Sequence, residues 1–214
     1  TKFYFAASSE LFGNVEKTPQ NEITKFNPRS AYGVSKVAGY YLTKNYRDAY
    51  NIHACSGILY NHESPRRNVN FVSRKITKNL ALIISGKVKK ISLGNINSKR
   101  DWGHARDYVY AMWKMLQLKR PQDFVIGTGK IHSVKDFVKH AFKRVNLNYK
   151  DYIEIDKRLF RQNDKIILKA DYRKAKRLLK WKPSISFRTL VNEMVDHDLK
   201  ITSNEWKSSN TKKR

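Results

Sequence analysis

Phe3-Tyr4-Phe5-Ala6-Ala7-Ser8-Ser9-Glu10 decides how this chain is read. An unbroken apolar run makes a short strand of the kind buried in a sheet, and here it breaks off into two hydroxyls and a carboxylate. In open α/β sheets, ligand sites gather at the carboxyl ends of strands. The second half of the signal follows a polar loop. Pro28-Arg29-Ser30 reads as a helix start, with Ser30 or Asn27 as the cap, and Tyr32-Gly33-Val34-Ser35-Lys36 lies in the first turns of that helix. A Tyr and a Lys four apart share one helix face. An ammonium close to a phenol favours the phenolate, and a phenolate beside a hydroxyl and a carboxylate can move protons on a sugar alcohol. The spacing alone carries little, because Tyr-xxx-Lys occurs four times, at Tyr32/Lys36, Tyr40/Lys44, Tyr110/Lys114 and Tyr172/Lys176. What separates the first pair is the Ser-Ser-Glu strand end upstream of it.

Outward from this segment, the pattern predicts strands at Phe3–Ala7, His53–Leu59, Lys90–Leu93, Asp123–Gly127, Tyr152–Ile155 and Ile166–Leu168. Helices are predicted over Ser30–Tyr50, Phe71–Ser85, His104–Leu118, Ser133–Val145, Tyr172–Leu179 and Phe187–Leu199. Alternating strands and helices imply an α/β fold. None of the 9 glycines forms the glycine-rich turn that opens a dinucleotide-binding domain, and Gly127-Thr128-Gly129 lacks the third glycine. With an opening that reads as a strand already under way, this predicts the C-terminal half of a Rossmann-like doubly wound sheet, plus a smaller α/β substrate-binding subdomain. A sheet cut through its middle would expose a strand edge, with Phe3, Phe5, Ile58 and Leu59 near it.

Hydrophobic content of 40% and aromatic content of 12% suit a folded core. The formal net charge of +26 raises nucleic-acid binding as a function class. The basic residues are scattered over nearly every segment, and no zinc-finger, RRM or KH signature is present, so a solvated basic surface is preferred. Such a surface would draw in anionic ligands. The lone Cys55 sits in an apolar run and can form no internal disulfide, which favours a reducing cytoplasm. No apolar stretch is long enough for a membrane span. No Cys/His cluster has zinc spacing, so no metal is expected.

Phe3–Gly13 (FYFAASSELFG), Asn27–Lys36 (NPRSAYGVSK), Ile58–Arg67 (ILYNHESPRR), Asn70–Ile76 (NFVSRKI) and Leu93–Val109 (LGNINSKRDWGHARDYV) together resemble the GDP-mannose 4,6-dehydratase family, within the extended short-chain dehydrogenase/reductases. The resemblance runs with interruptions from about Phe3 to Leu199. The His62–Arg67 and Lys99–Gly103 blocks are far more specific than Tyr-xxx-Lys.

The resemblance implies an NAD(P)-binding Rossmann-like fold and a hydro-lyase acting in GDP-fucose and deoxyhexose biosynthesis. GDP-mannose becomes GDP-4-keto-6-deoxy-D-mannose with internal hydride recycling on NADP. It casts Tyr32 as the base for the sugar 4-hydroxyl, and Glu10 as the group that removes the C5 proton and helps expel the 6-hydroxyl. Ser8 would bond the substrate oxygen, in a place where the family commonly has Thr. Lys36, His62 and Arg67 would contact the cofactor. Asn70, Lys75, Arg100 and Arg161 would hold the GDP moiety. The family's Arg-Pro-Thr-Glu-Val-Asp is here Arg161-Gln162-Asn163-Asp164-Lys165-Ile166, with Asp164 the nearest stand-in for the ribose-binding Glu. The implied organisation is a Rossmann remnant with the catalytic helix at 1–65, a nucleotide-sugar subdomain at 66–202 with strands returning to the sheet, and a disordered basic tail at 203–214. A homo-oligomer is implied for the family. Two rivals remain. A related epimerase or reductase would share Tyr-xxx-Lys without needing Glu10. A truncated, non-catalytic basic binding protein would bind duplex DNA with a steep salt dependence.

Overall fold

The computed structural model describes residues 1–160 and 166–211. In chain order its main elements are β1 (Lys2–Ser8), α1 (Ala31–Tyr50), β2 (His53–Leu59), β3 (Asn61–Glu63), α2 (Val72–Ile84), β4 (Ile91–Leu93), β5 (Lys99–Arg100), β6 (Trp102–His104), α3 (Ala105–Gln117), β7 (Phe124–Ile126), β8 (His132–Ser133), α4 (Val134–Arg144), β9 (Ile153–Ile155), α5 (Arg173–Leu178) and α6 (Phe187–Thr211). The chain divides into two units: Thr1–His62 with Arg100–Ile131 and Ile166–Ile185, and Glu63–Lys99 with His132–Lys165 and Ser186–Arg214. The first break falls just before the boundary expected after Pro65, and the first unit takes back two later segments.

The first unit is built on a parallel sheet of order β1-β2-β7, with Ser8 opposite Leu59 and Leu59 opposite Ile126. Successive side chains of a strand point to opposite faces. Ala7, Ile58 and Val125 pack with Tyr40 of α1 and with Leu11, Phe12 and Tyr60, and Phe5 and Val37 join them. Cys55, Leu59, Phe124 and Ile126 pack with Tyr108, Ala111 and Met115 of α3 and with Trp181, and Tyr4 joins that group. The sheet is therefore covered on both faces, the α/β arrangement that alternating elements predict. Ile58 and Leu59, expected near an exposed edge, are buried because β2 is the central strand. Phe3, on β1, is half exposed.

The second unit holds the parallel pair β4-β9 and the mutually packed helices α2, α4 and α6. Ser133 caps α4 in a reciprocal box with Asp136. An Arg74–Asp198 pair at 2.7 Å, joined by the Thr77 hydroxyl at 2.6 Å, ties α2 to α6. Two expectations are corrected here. Ile166–Leu168 forms no strand, and among the described residues the pairing beside it is a bridge from Ala170 to Gln20. The last helix does not stop at Leu199 before a disordered tail, but runs to Thr211. Its buried stripe of Val191, Met194, Val195 and Asp198 continues at helical spacing to Thr202, so nothing breaks the helix at Leu199. Among the described residues, no helix is long and apolar enough to cross a membrane.

Candidate functional site

β1 ends in a single 3-10 turn, Ser9–Leu11. Ser8 caps the turn, its Oγ accepting the Glu10 N–H at 3.3 Å. Gly13 follows with φ of +54°, and a Cβ there would lie 1.8 Å from the Asn27 carbonyl oxygen. Only glycine tolerates both. The loop beyond is closed at its base: the Asn14 N–H donates to Asn27 O at 2.9 Å, and Asn27 Nδ2 donates to Asn14 O at 3.2 Å. The chain thus returns to where β1 ended. There Ser30 caps α1, its Oγ accepting the Gly33 N–H at 3.0 Å. Gly33 is buried, and a Cβ on it would lie 2.9 Å from the Glu10 carbonyl oxygen. The first turn of α1 rests directly on the Ser8-Ser9-Glu10 turn.

Tyr32 and Lys36 stand on that part of α1. Tyr32 is 54% exposed. Lys36 Nζ donates to the Ala6 carbonyl at 2.9 Å and lies 5.5 Å from the Tyr32 ring centroid, within cation–π range. Among the described residues, neither the Glu10 carboxylate nor the Tyr32 hydroxyl has a hydrogen bond or ion pair. His62 follows β2 at the same end of the sheet, its Nδ1 2.9 Å from the Tyr60 carbonyl oxygen and its ring 5.0 Å from that of Tyr108. The first unit therefore gathers Ser8, Glu10, Tyr32 and Lys36 at the carboxyl end of β1, with His62 past the neighbouring strand. Arg100, half-buried on β5, belongs to the same unit.

The remaining residues belong to the second unit. Arg67 Nε lies 3.2 Å from Glu63 Oε2, and its guanidinium carbon sits 3.5 Å over the Phe71 ring. Glu63 is buried and accepts the Ser73 hydroxyl at 2.6 Å. Arg67 is thus held by its own unit. Asn70 is exposed just before α2, its N–H donating to Asn68 Oδ1 at 2.9 Å. Lys75 is half-buried within α2. Arg161 lies outside the described residues. Among those residues, no group of three or more His, Cys, Asp or Glu side chains could hold a metal ion.

A family model described as GDP-mannose 4,6 dehydratase matches residues 1–194. The chain belongs to the GDP-mannose 4,6 dehydratase family. It is 52% identical over 204 residues to GDP-mannose 4,6 dehydratase 1 of Arabidopsis thaliana, covering 95% of this chain and 56% of that protein. It is 45% identical over 217 residues to the Homo sapiens GDP-mannose 4,6 dehydratase, covering 94% of this chain and 58% of that one. The chain thus spans little more than half the length of these relatives. Among solved structures, it superposes on RMD of Pseudomonas aeruginosa complexed with NADPH with a TM-score of 0.86 at 18% identity, covering 94% of this chain and 67% of the other. It superposes on dTDP-glucose 4,6-dehydratase of Bacillus anthracis in complex with NAD with a TM-score of 0.81 at 20% identity, covering 96% and 63%. At those identities the likeness establishes the fold, a Rossmann-type α/β domain.

The family's Lys99–Gly103 block reads differently once its bonds are seen. Asp101 is buried and accepts four donors: the Thr128 N–H at 2.8 Å, the Thr128 hydroxyl at 2.6 Å, the Gly129 N–H at 2.8 Å and the Ala170 N–H at 3.0 Å. Burial raises its carboxyl above the usual range, and the four donors work against that rise. Further on, Asp107 accepts the Ser184 N–H at 2.9 Å, the Ser184 hydroxyl at 2.6 Å and the Ile185 N–H at 3.0 Å. These acids fasten loops to the sheet end. Sequence reasoning missed them, and it missed Gly33 as the contact between the Glu10 turn and α1. The signal for Gly33 was a residue without a side chain between the paired Tyr and Lys.

Proposed function

We propose that this chain carries the catalytic half of a GDP-mannose 4,6-dehydratase, a hydro-lyase that converts GDP-mannose to its 4-keto-6-deoxy product. The observation that carries the reading is the seating of the Ser8-Ser9-Glu10 turn on Gly33. It brings an uncommitted carboxylate and an uncommitted phenol to one end of a parallel sheet. Tyr32 takes the proton from the sugar 4-hydroxyl. Glu10 takes the C5 proton, which a 4-keto group acidifies, and assists departure of the 6-hydroxyl as water. The Ser8 hydroxyl hydrogen-bonds the substrate oxygen. Lys36 and His62 flank the strand ends where a dinucleotide fits this fold, and with Arg67 they would hold NADP. Bound there, that cofactor supplies acceptance and return of a hydride.

Asn70 and Lys75 of the second unit, Arg100 of the first, and Arg161 are cationic and amide donors of types suited to a nucleoside diphosphate. The roles of the two units as cofactor and sugar-nucleotide domains belong to this reading. So does a homo-oligomer, supported by the exposed Val34, Tyr41, Leu42 and Tyr46 along α1. A cytoplasmic setting accords with the single buried thiol of Cys55, which burial pushes up to about 11.

The test uses this chain joined to the part of the Arabidopsis relative that lies outside the matched residues, in a single turnover followed by absorbance. Tyr32→Phe abolishes both the reduced-cofactor signal and the 6-deoxy product, with a loss of roughly 10²- to 10⁴-fold. Glu10→Gln keeps a transient signal and makes no product. Near-normal product from Glu10→Gln would make Glu10 a loop residue and move an epimerase or reductase ahead.

A further inference from the structure

The imidazole of His62 is held from two directions. Its Nδ1 lies 2.9 Å from the Tyr60 carbonyl oxygen, and its ring lies 5.0 Å from that of Tyr108 at an interplanar angle of 31°. A carbonyl oxygen only accepts, so Nδ1 carries the proton of this bond. The bond that one ring nitrogen makes fixes the tautomer. In the neutral ring, Nε2 is therefore the nitrogen with the lone pair. The carbonyl bond alone does not keep the ring so placed. The last torsion of a histidine is broad and roughly two-fold, and a half turn would set a C–H against the Tyr60 oxygen. An aromatic ring lying against the imidazole face obstructs that turn, because the imidazole must pass through an upright orientation.

Tyr108 is itself fixed. It is buried in the first turns of α3. Trp181 meets its ring edge-on, with centroids 6.3 Å apart and an interplanar angle of 87°. The indole Nε1 of Trp181 donates in turn to the Asp107 carbonyl at 2.8 Å, one residue before Tyr108. The Tyr108 hydroxyl donates to the Asn61 carbonyl oxygen at 3.4 Å, one residue before His62. One side chain thus touches both the ring of His62 and the backbone that leads into it.

We propose that Tyr108 is a positioning residue: its ring holds His62 in the Nδ1–H form, so that a bound dinucleotide meets Nε2 as a hydrogen-bond acceptor. The proposal rests on the reading of His62 as a cofactor contact. It also says which part of the cofactor His62 takes. The phosphate oxygens of a dinucleotide accept and do not donate, so an acceptor nitrogen suits its ribose hydroxyls or its carboxamide N–H instead.

The test is ¹⁵N NMR of the histidine rings in this full chain, at a pH where the imidazole is neutral, with His62→Gln to assign the signals. Long-range proton correlations read which nitrogen is protonated. His62 should be protonated at Nδ1 and bare at Nε2. Tyr108→Leu removes the stacked ring and should collapse the two separated nitrogen signals toward an average. Tyr108→Phe keeps the ring, loses the Asn61 bond, and should leave the signals apart. Should Tyr108→Leu fail to fold, the unaltered chain and Tyr108→Phe decide. In the joined chain of the preceding test, NADPH should shift the Nε2 signal of His62 and leave Nδ1 in place. The proposal is overturned by an Nε2–H tautomer in the unaltered chain, by unchanged signals in Tyr108→Leu, by collapsed signals in Tyr108→Phe, or by an Nε2 signal that NADPH does not move. None of these measurements involves turnover, so loss of the 6-deoxy product bears on the proposed reaction alone.

Discussion

Two short segments identify this chain, and they are built in opposite ways. Around Ser8, Glu10, Tyr32 and Lys36 the side chains are exposed or half-buried, and the two that would do chemistry are unbonded among the described residues. Around Asp101 and Asp107 the carboxylates are buried and saturated with donors. The first region spends its interactions on the backbone, through Ser8, Gly13, Asn27, Ser30 and Gly33, and leaves its reactive groups loose. The second spends its side chains on holding loops. A residue that marks a family is therefore not by that fact catalytic. Its bonds show whether it waits for a ligand or is already used.

The sharpest way to break this comparison is to exchange one residue from each region. Asp101→Asn keeps the shape but replaces an acceptor of four donors with an amide that must point N–H groups at some of them. Unfolding free energy should fall by about 2–4 kcal/mol, from charged hydrogen bonds lost and buried donors left unmade. Tyr32→Phe removes an exposed, unbonded hydroxyl and should change stability by less than about 0.5 kcal/mol. Paired denaturant melts check both. If Tyr32→Phe proves as destabilising as Asp101→Asn, the two regions are not built differently.

A smaller effect is expected at Gly33. In an open helix, Gly→Ala raises stability through propensity. Here the added methyl meets the Glu10 carbonyl oxygen at 2.9 Å and Pro28 Cβ at 3.0 Å, so the turn must shift. Overpacking of this kind costs about 1–3 kcal/mol, and the melting temperature of Gly33→Ala should fall. A rise would mean that α1 does not rest on the Glu10 turn.

The strands and helices of the first unit were legible because their apolar periods are strong and their caps are local: Ser30 and Ser133 both act as read. The same is true of the Ser-Ser-Glu and Tyr-xxx-Lys pairing, since short loops and helix starts leave their mark in neighbouring residues. What stayed hidden depends on partners distant in sequence. Nothing near Asp101 announces that Thr128, Gly129 and Ala170 will converge on it. The resemblance casts Arg67 as a cofactor contact, and what it did not show is that Glu63 pairs with this guanidinium and Phe71 lies beneath it. The end of α6 was misplaced because Asp198 and Thr202 are polar, although both are buried and prolong the helical stripe.

The smallest effect sharpens the comparison from within the scaffold. Asp171 follows Ala170, whose N–H binds Asp101, and it accepts Arg173 Nη2 at 2.6 Å and Nε at 2.9 Å. The Arg173 hydrogen bonds hold the Asp171 carboxyl below the usual carboxylate range. A depressed folded value adds stability that is present in full above the unfolded value, about 3.9, and is lost as pH falls through the lower folded one. The Arg173 side chain is 86% exposed, so screening keeps the contribution to roughly 0.2–1 kcal/mol. Asp171→Asn should flatten the acid limb of a stability–pH curve below about pH 4 and shift neutral-pH stability only slightly. Because the pair is screened by salt, the difference between the two proteins should shrink further in concentrated NaCl. Asp101→Asn should keep most of its cost in the same salt, because the Asp101 carboxylate is buried. A salt response at Asp101 equal to that at Asp171 would mean that water reaches both carboxylates alike.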